Sequence, residues 1–225
     1  MEQDFILSLL MIIGIDLVLG GDNAIVIAMA CRNLPTKQRN KAIILGTFLA
    51  IFFRIFITII AVYLLKVPFL QLVGGVFLLY IAFHLIVGKD DESGKVKSYQ
   101  SLWKAVQTIV IADLLMGLDN VIAIAGAANG SNLLVVIGLF ISIPIIIWGS
   151  KIILVLLDRF PILIYVGGGL LAFTAGKMIS GENQLEHLLS SHPIIGQSLP
   201  FLTTSFILLG GLLYQQMGIW KSEKK

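Results

Sequence analysis

The chain has 225 residues, of which 57% are hydrophobic and only 13% charged, and its mean hydropathy is +0.96. A soluble domain is about a quarter charged, and no water-soluble fold of this length buries so much apolar surface, so the bilayer is the solvent. The net charge of +3 sits mostly in loops and tail and forms no aromatic–basic patch, which excludes nucleic acid as a partner; the single Cys31 excludes an internal disulfide and any multi-cysteine metal site.

The first residues, MEQDF, are acidic, whereas a cleavable signal peptide begins with positive charge and ends in an A-x-A-like site. The first apolar run is therefore read as a permanent span. Stretches of about 20 mostly apolar residues predict spans at 6–30, 42–65, 67–88, 102–128, 132–157, 161–180 and 200–220. Pro35, Pro68, Pro161 and the polar stretch 89–101 mark joints, and Asn129-Gly130-Ser131-Asn132 reads as a tight turn. Residues 181–199 read as an outer loop with a short surface helix around Leu185–Leu189, and 221–225 as a tail. The predicted fold class is all-α, a polytopic membrane protein of seven transmembrane helices.

Lysine and arginine set the orientation. Arg32, Lys37, Arg39 and Lys41 follow the first span, and Lys89, Lys95, Lys97 and Lys104 follow the third. Arg159 follows the fifth, and Lys221, Lys224 and Lys225 end the chain. Twelve cations thus fall on one side, against Lys66 and Lys177 on the other. The reading puts the N-terminus outside and the C-terminus in the cytoplasm, with Arg54 and Lys151 left inside spans.

One phrase occurs twice. Residues 15–30 read IDLVLGGDNAIVIAMA and residues 112–127 read ADLLMGLDNVIAIAGA, identical at 9 of 16 positions. The offset of 97 pairs Asp16 with Asp113, Asp22 with Asp119, Asn23 with Asn120 and Gly20 with Gly117. Further on, Pro68 and Pro161, Gly74-Gly75 and Gly167-Gly168, and Gly88 and Gly181 repeat at 93. Spans one to three (6–88) thus resemble spans four to six (102–180), with the seventh appended. Three is odd, so the second unit runs through the membrane upside down, an inverted repeat of the kind secondary transporters use around a midplane site.

A charged Asp near the bilayer centre costs about 2.5–3.5 kcal/mol on insertion scales, so four of them in mirrored places call for a cation. Asp16 lies about ten residues into its span and Asp113 about eleven into one entering from the other face; at 1.5 Å per residue both reach mid-membrane. The two carboxylates are expected in one cavity, about 10 Å or less apart. Gly20-Gly21 and Gly117 are expected to loosen each helix and free carbonyls to face a polar cavity. The ligands on offer are all oxygen, which suits hard divalent ions such as Mn²⁺, Mg²⁺ or Ca²⁺; Zn²⁺ and copper would want His or Cys. His84 lies at a span end and His187 and His192 in the outer loop. Arg54 reads as neutralising a carboxylate, and Lys151 as snorkelling. Glu182, Glu186, His187 and His192 read as a solvated loop rather than a metal collector.

Paired D-x5-DN elements, each inside a span of a seven-span chain, resemble the TerC family of bacterial integral membrane proteins, from Asp4 to about Trp220. The resemblance implies a multi-pass protein of the bacterial cell membrane, associated with manganese efflux and with supplying metal to secreted enzymes. It implies Asp16, Asp22, Asn23, Asp113, Asp119 and Asn120 as the ion site. The expected function is export of a divalent cation, Mn²⁺ first, with protons as natural counter-ions and no tightly bound cofactor; the chain has no GxxxxGK[ST] motif for ATP. Expected partners are the metal ion and the lipid bilayer, then a second copy or the secretion machinery. One rival is a membrane subunit that hands metal to secreted or membrane partners without net transport alone. Another is an intramembrane aspartyl protease, but LGGD and MGLD lack the Tyr-Asp and Pro-Ala-Leu elements of that class, so the chain is not expected to be an enzyme.

Overall fold

A computed structural model describes residues 2–64, 67–88, 98–128, 131–182, 184–185 and 193–222. Every regular element among them is a helix: α1 (Glu2–Leu19), α2 (Gly21–Cys31), α3 (Thr36–Leu64), α4 (Leu70–Val87), α5 (Ser98–Ala127), α6 (Asn132–Arg159), α7 (Leu163–Ser180) and α8 (Pro193–Ser222). Length and composition qualify α3, α4, α6, α7 and α8 to cross a membrane. The pair α1–α2, bent by 45°, makes a sixth candidate among the described residues, set against the seven spans expected.

The distribution of polarity is inverted relative to a water-soluble protein. Arg54, Asp16, Asp113, Asn23, Asn120, Thr47 and Ser142 are buried, while Phe52, Phe56, Trp148, Phe206 and many other large apolar side chains are exposed. In lipid the outer face carries no hydrophobic penalty, and polar groups must find partners inside.

The helices form two compact units, residues 1–67 with 95–159, and 68–94 with 160–225. In the first, α3 packs along α5, and α6 packs against α1, α2 and α3. Two glycines bring these helices close. A Cβ on Gly46 of α3 would lie 2.7 Å from Ile109 of α5, and one on Gly138 of α6 would run into Ile12 of α1. Ile12 and Ile109 each stand one turn before the motif's first aspartate, so these contacts fix the depth and facing of Asp16 and Asp113. Arg39 ties the turn before α3 to the end of α6, donating to the Leu34 carbonyl at 2.8 Å, to the Arg32 carbonyl and to Asp158 at 2.8 Å.

In the second unit α7 packs against both α4 and α8. A Cβ on Gly75 would lie 2.6 Å from Ile179, and one on Gly168 would run into Ile86, as small residues at helix crossings permit. The loop expected over 181–199 is cut short, because α8 starts at Pro193. Proline suits a first helical turn, where its missing N–H has no intrahelical acceptor. Pro200 lies inside α8; its carbonyl accepts from the hydroxyls of Thr203 and Thr204 at 2.9 and 2.7 Å, and Thr203 also donates to the Ala172 carbonyl at 2.9 Å. The surface helix expected around Leu185–Leu189 falls, beyond Leu185, outside the described residues.

Candidate functional site

The first copy of the motif straddles a helix break. α1 ends at Leu19 and α2 starts at Gly21, with Gly20 between them at φ −103° and ψ 9°. The Gly20 N–H donates to the Asp16 carbonyl at 2.8 Å, and the Asn23 N–H to the Gly20 carbonyl at 3.0 Å. A Cβ on Gly20 would collide with the Asp16 carbonyl and come 3.1 Å from Asn23 Nδ2; one on Gly21 would meet nothing within 4 Å. The expected loosening is therefore present here, and Gly20 alone makes it sterically possible. Asp22 falls in the first turn of α2, where the exposed N–H ends favour a carboxylate.

The second copy corrects that expectation. α5 runs unbroken from Ser98 through Gly117 to Ala127. Gly117 instead faces a side chain: a Cβ there would meet Arg54 Nε at 3.4 Å, an ordinary contact, so the glycine leaves a methyl-sized gap beside the guanidinium. The flanking apolar residues keep the α5 ladder intact, and one glycine costs a helix only about 1 kcal/mol.

Arg54 joins the two copies. It is 1% exposed, and it donates through Nη1 to Asp16 Oδ1 on α1 and through Nη2 to Asp113 Oδ1 on α5. Thr58 donates to the Arg54 carbonyl at 2.8 Å. The two aspartates that the offset of 97 pairs thus meet at one guanidinium. The pairing of Arg54 with a carboxylate was legible; that it holds both was not. Each acid commits one oxygen. Among the described residues, Asp16 Oδ2 and Asp113 Oδ2 are buried without a hydrogen-bond partner, as are Asp22 Oδ1, both amide atoms of Asn23, Thr47 Oγ1 and Arg54 Nε. Thr47 was overlooked in the sequence; it precedes Arg54 by seven residues on α3, a spacing that puts both on one helix face.

Asn120 is buried on α5. Asp119 is its neighbour on the same helix, and its side chain lies outside the described residues. Among those residues, no group of three or more His, Cys, Asp or Glu side chains is arranged to hold a metal ion. Glu182 is not solvated, as a loop position was expected to be. It is buried, and its Oε2 accepts the N–H groups of Gln71 at 3.1 Å and Leu72 at 3.3 Å, capping the start of α4 as a carboxylate does at a helix N-terminus. Glu186, His187 and His192 lie outside the described residues. His84 stacks on Tyr80, with centroids 6.1 Å apart.

Helices with apolar outer faces and a buried charged triad define a multi-pass integral membrane protein. The family model described as "Integral membrane protein TerC family" matches residues 1–225, and the chain belongs to that family. It is 55% identical over 217 residues to the uncharacterized membrane protein YjbE of Bacillus subtilis, a match covering 96% of this chain and 99% of that protein. It is 29% identical to the uncharacterized membrane protein YceF of the same organism, over 72% of this chain and 66% of YceF. The UPF0053 inner membrane protein YoaE of Escherichia coli is 35% identical over 57% of this chain and 29% of its own length. No solved structure matches.

Proposed function

We propose that this protein is a membrane transporter that exports a divalent cation, Mn²⁺ first among the hard ions, through a site made by Asp16, Asp22, Asn23, Asp113, Asp119 and Asn120. The observation that carries the reading is the meeting of Asp16 and Asp113, each with one buried oxygen that finds no donor among the described residues. Buried oxygens without partners are expensive to keep. An oxygen-seeking cation would satisfy them and match their charge. The cation is substrate rather than resident cofactor.

The arrangement argues against the protease reading. An aspartyl protease needs two carboxylates sharing one proton, and here a guanidinium stands between them.

The proposed architecture is seven spans, three of them inverted copies of three others, with the N-terminus outside and the C-terminus in the cytoplasm. Exchanged contacts support the repeat. Gly46 receives Ile109 while Gly138 receives Ile12, and Gly75 receives Ile179 while Gly168 receives Ile86. Ile12 and Ile109 are 97 apart, and Ile86 and Ile179 are 93 apart, as the repeat requires. Each contact has its counterpart with the two copies swapped, which is what a pseudo-two-fold axis generates.

The test is Mn²⁺ flux into liposomes containing the purified protein. Asp22→Asn or Asp119→Asn keeps the shape and one oxygen but removes charge that offsets dehydration of the ion. Both variants should insert and fold yet lose flux. Wild-type flux retained in both would remove these residues from the site. Absence of flux in wild-type protein would leave metal delivery to a partner as the working reading.

A further inference from the structure

We propose that Arg54 is the resident counter-cation of this site: its guanidinium holds the Asp16 and Asp113 carboxylates while no ion is bound, and a divalent cation binds by taking their oxygens from it. The proposal rests on the reading of the repeated motif as a cation site. It gives that site an internal competitor, which sets the affinity.

Three features carry it. The guanidinium is divided between acids on two helices, one terminal nitrogen to each. Arginine that serves only to bind a carboxylate commonly does so with two parallel bonds to one acid. Here neither acid is saturated. The second oxygens, Asp16 Oδ2 and Asp113 Oδ2, and the Arg54 Nε are all buried and have no hydrogen-bond partner among the described residues. A half-satisfied network in a dry place is a poor structural staple, but it leaves each carboxylate an open coordination position.

The third feature is room beside the guanidinium. Gly117 faces Arg54 with no side chain of its own, and a Cβ there would approach Nε to 3.4 Å and the nearer terminal nitrogen to 3.9 Å. A guanidinium that must shift needs such a gap. The α5 backbone does not need the glycine, because the helix is regular there.

Charge gives the effect its sign. At the triad two carboxylates and one guanidinium leave a single negative charge, to which Asp22 and Asp119 of the proposed site add theirs. Without Arg54 the same acids would carry one more negative charge and hold a divalent ion more tightly. Arg54 therefore weakens binding.

The experiment is equilibrium binding of Mn²⁺ to the purified full chain in detergent, with free Mn²⁺ read by electron paramagnetic resonance. Wild type is compared with Arg54→Gln and Arg54→Lys. Arg54→Gln removes both charge and fork, and should bind Mn²⁺ about tenfold tighter, the scale of one charge-assisted hydrogen bond no longer to be broken. Arg54→Lys keeps the charge but puts its three rotatable donors on one nitrogen in place of the wide planar fork, so it spans two acids on different helices less well, and should bind about threefold tighter. Arg54→Lys is the decisive variant, and it carries the test alone if Arg54→Gln does not fold. Affinity in Arg54→Lys equal to or below wild type overturns the proposal even if Arg54→Gln gains, because charge alone would then explain the gain. Wild type that binds no Mn²⁺ removes the cation site and this proposal with it; wild-type binding that neither variant changes removes only the role of Arg54.

Discussion

Arg54 faces two carboxylates, so the two ways of breaking the triad are unequal. Arg54→Gln leaves Asp16 and Asp113 buried against each other with no cation. Removing one partner from a buried ion pair costs about 3–5 kcal/mol, most of it the charge left behind. Asp113→Asn leaves a matched pair, Arg54 with Asp16. What it loses is a hydrogen bond to a charged group, about 1.5–3 kcal/mol, and the repulsion between the acids disappears with it, so a net cost of about 1–2 kcal/mol is expected. One kcal/mol moves Tm by about 2–4 °C in a chain of this size. Arg54→Gln should therefore lower Tm by about 6–20 °C and Asp113→Asn by about 2–8 °C. The double variant should be more stable than Arg54→Gln alone, because it removes the second unbalanced carboxylate. Thermal unfolding of the purified chain in one detergent, followed by tryptophan fluorescence, measures all three. Asp113→Asn as damaging as Arg54→Gln, or a double variant whose loss is the plain sum of the singles, would refute the charge argument.

The glycines give a second measurement in the same assay. Gly138→Val overpacks the α1–α6 contact at Ile12 and should cost about 1–3 kcal/mol, whereas Gly21→Ala, where a Cβ meets nothing within 4 Å, should be neutral or stabilising by up to about 1 kcal/mol. Coupling is tested in sealed liposomes. Metal binding needs deprotonated carboxylates, so affinity for Mn²⁺ should rise with pH, and an imposed pH gradient should drive Mn²⁺ movement that stops when the gradient collapses. Movement indifferent to the gradient would sink proton exchange.

The parts of the fold that were legible from the residues are those fixed by local pattern. Apolar runs located the helices to within about seven residues, the largest difference being the start of α8, and Asp16, Asn23, Asp113 and Asn120 marked the interior. The bend at Gly20 was legible because two glycines adjoin there. The absence of a bend at Gly117 was not, because a single glycine among apolar helix formers costs only about 1 kcal/mol and is compatible with either outcome. Arg54 itself could be read as a buried cation needing a carboxylate. Its division between two acids depends on the α3–α5 and α1–α6 crossings, which isoleucines and glycines fix far along the chain. Glu182 misled for the same cause: its partners, the N–H groups of Gln71 and Leu72, lie about 110 residues earlier.

The triad also has a history on the ribosome. Asp16 is made 38 residues before Arg54, and Asp113 follows 59 residues after it. At about 5–20 residues per second, Asp113 trails Arg54 by about 3–12 s. Through that interval Arg54 has only Asp16 of its two partners, and α1 and α3 can enter the membrane around a one-to-one pair. Asp113 arrives with α5 and divides the guanidinium between two acids. Order of synthesis is thereby order of pairing: the arginine is first held by one carboxylate and is shared with the second only when α5 is in place.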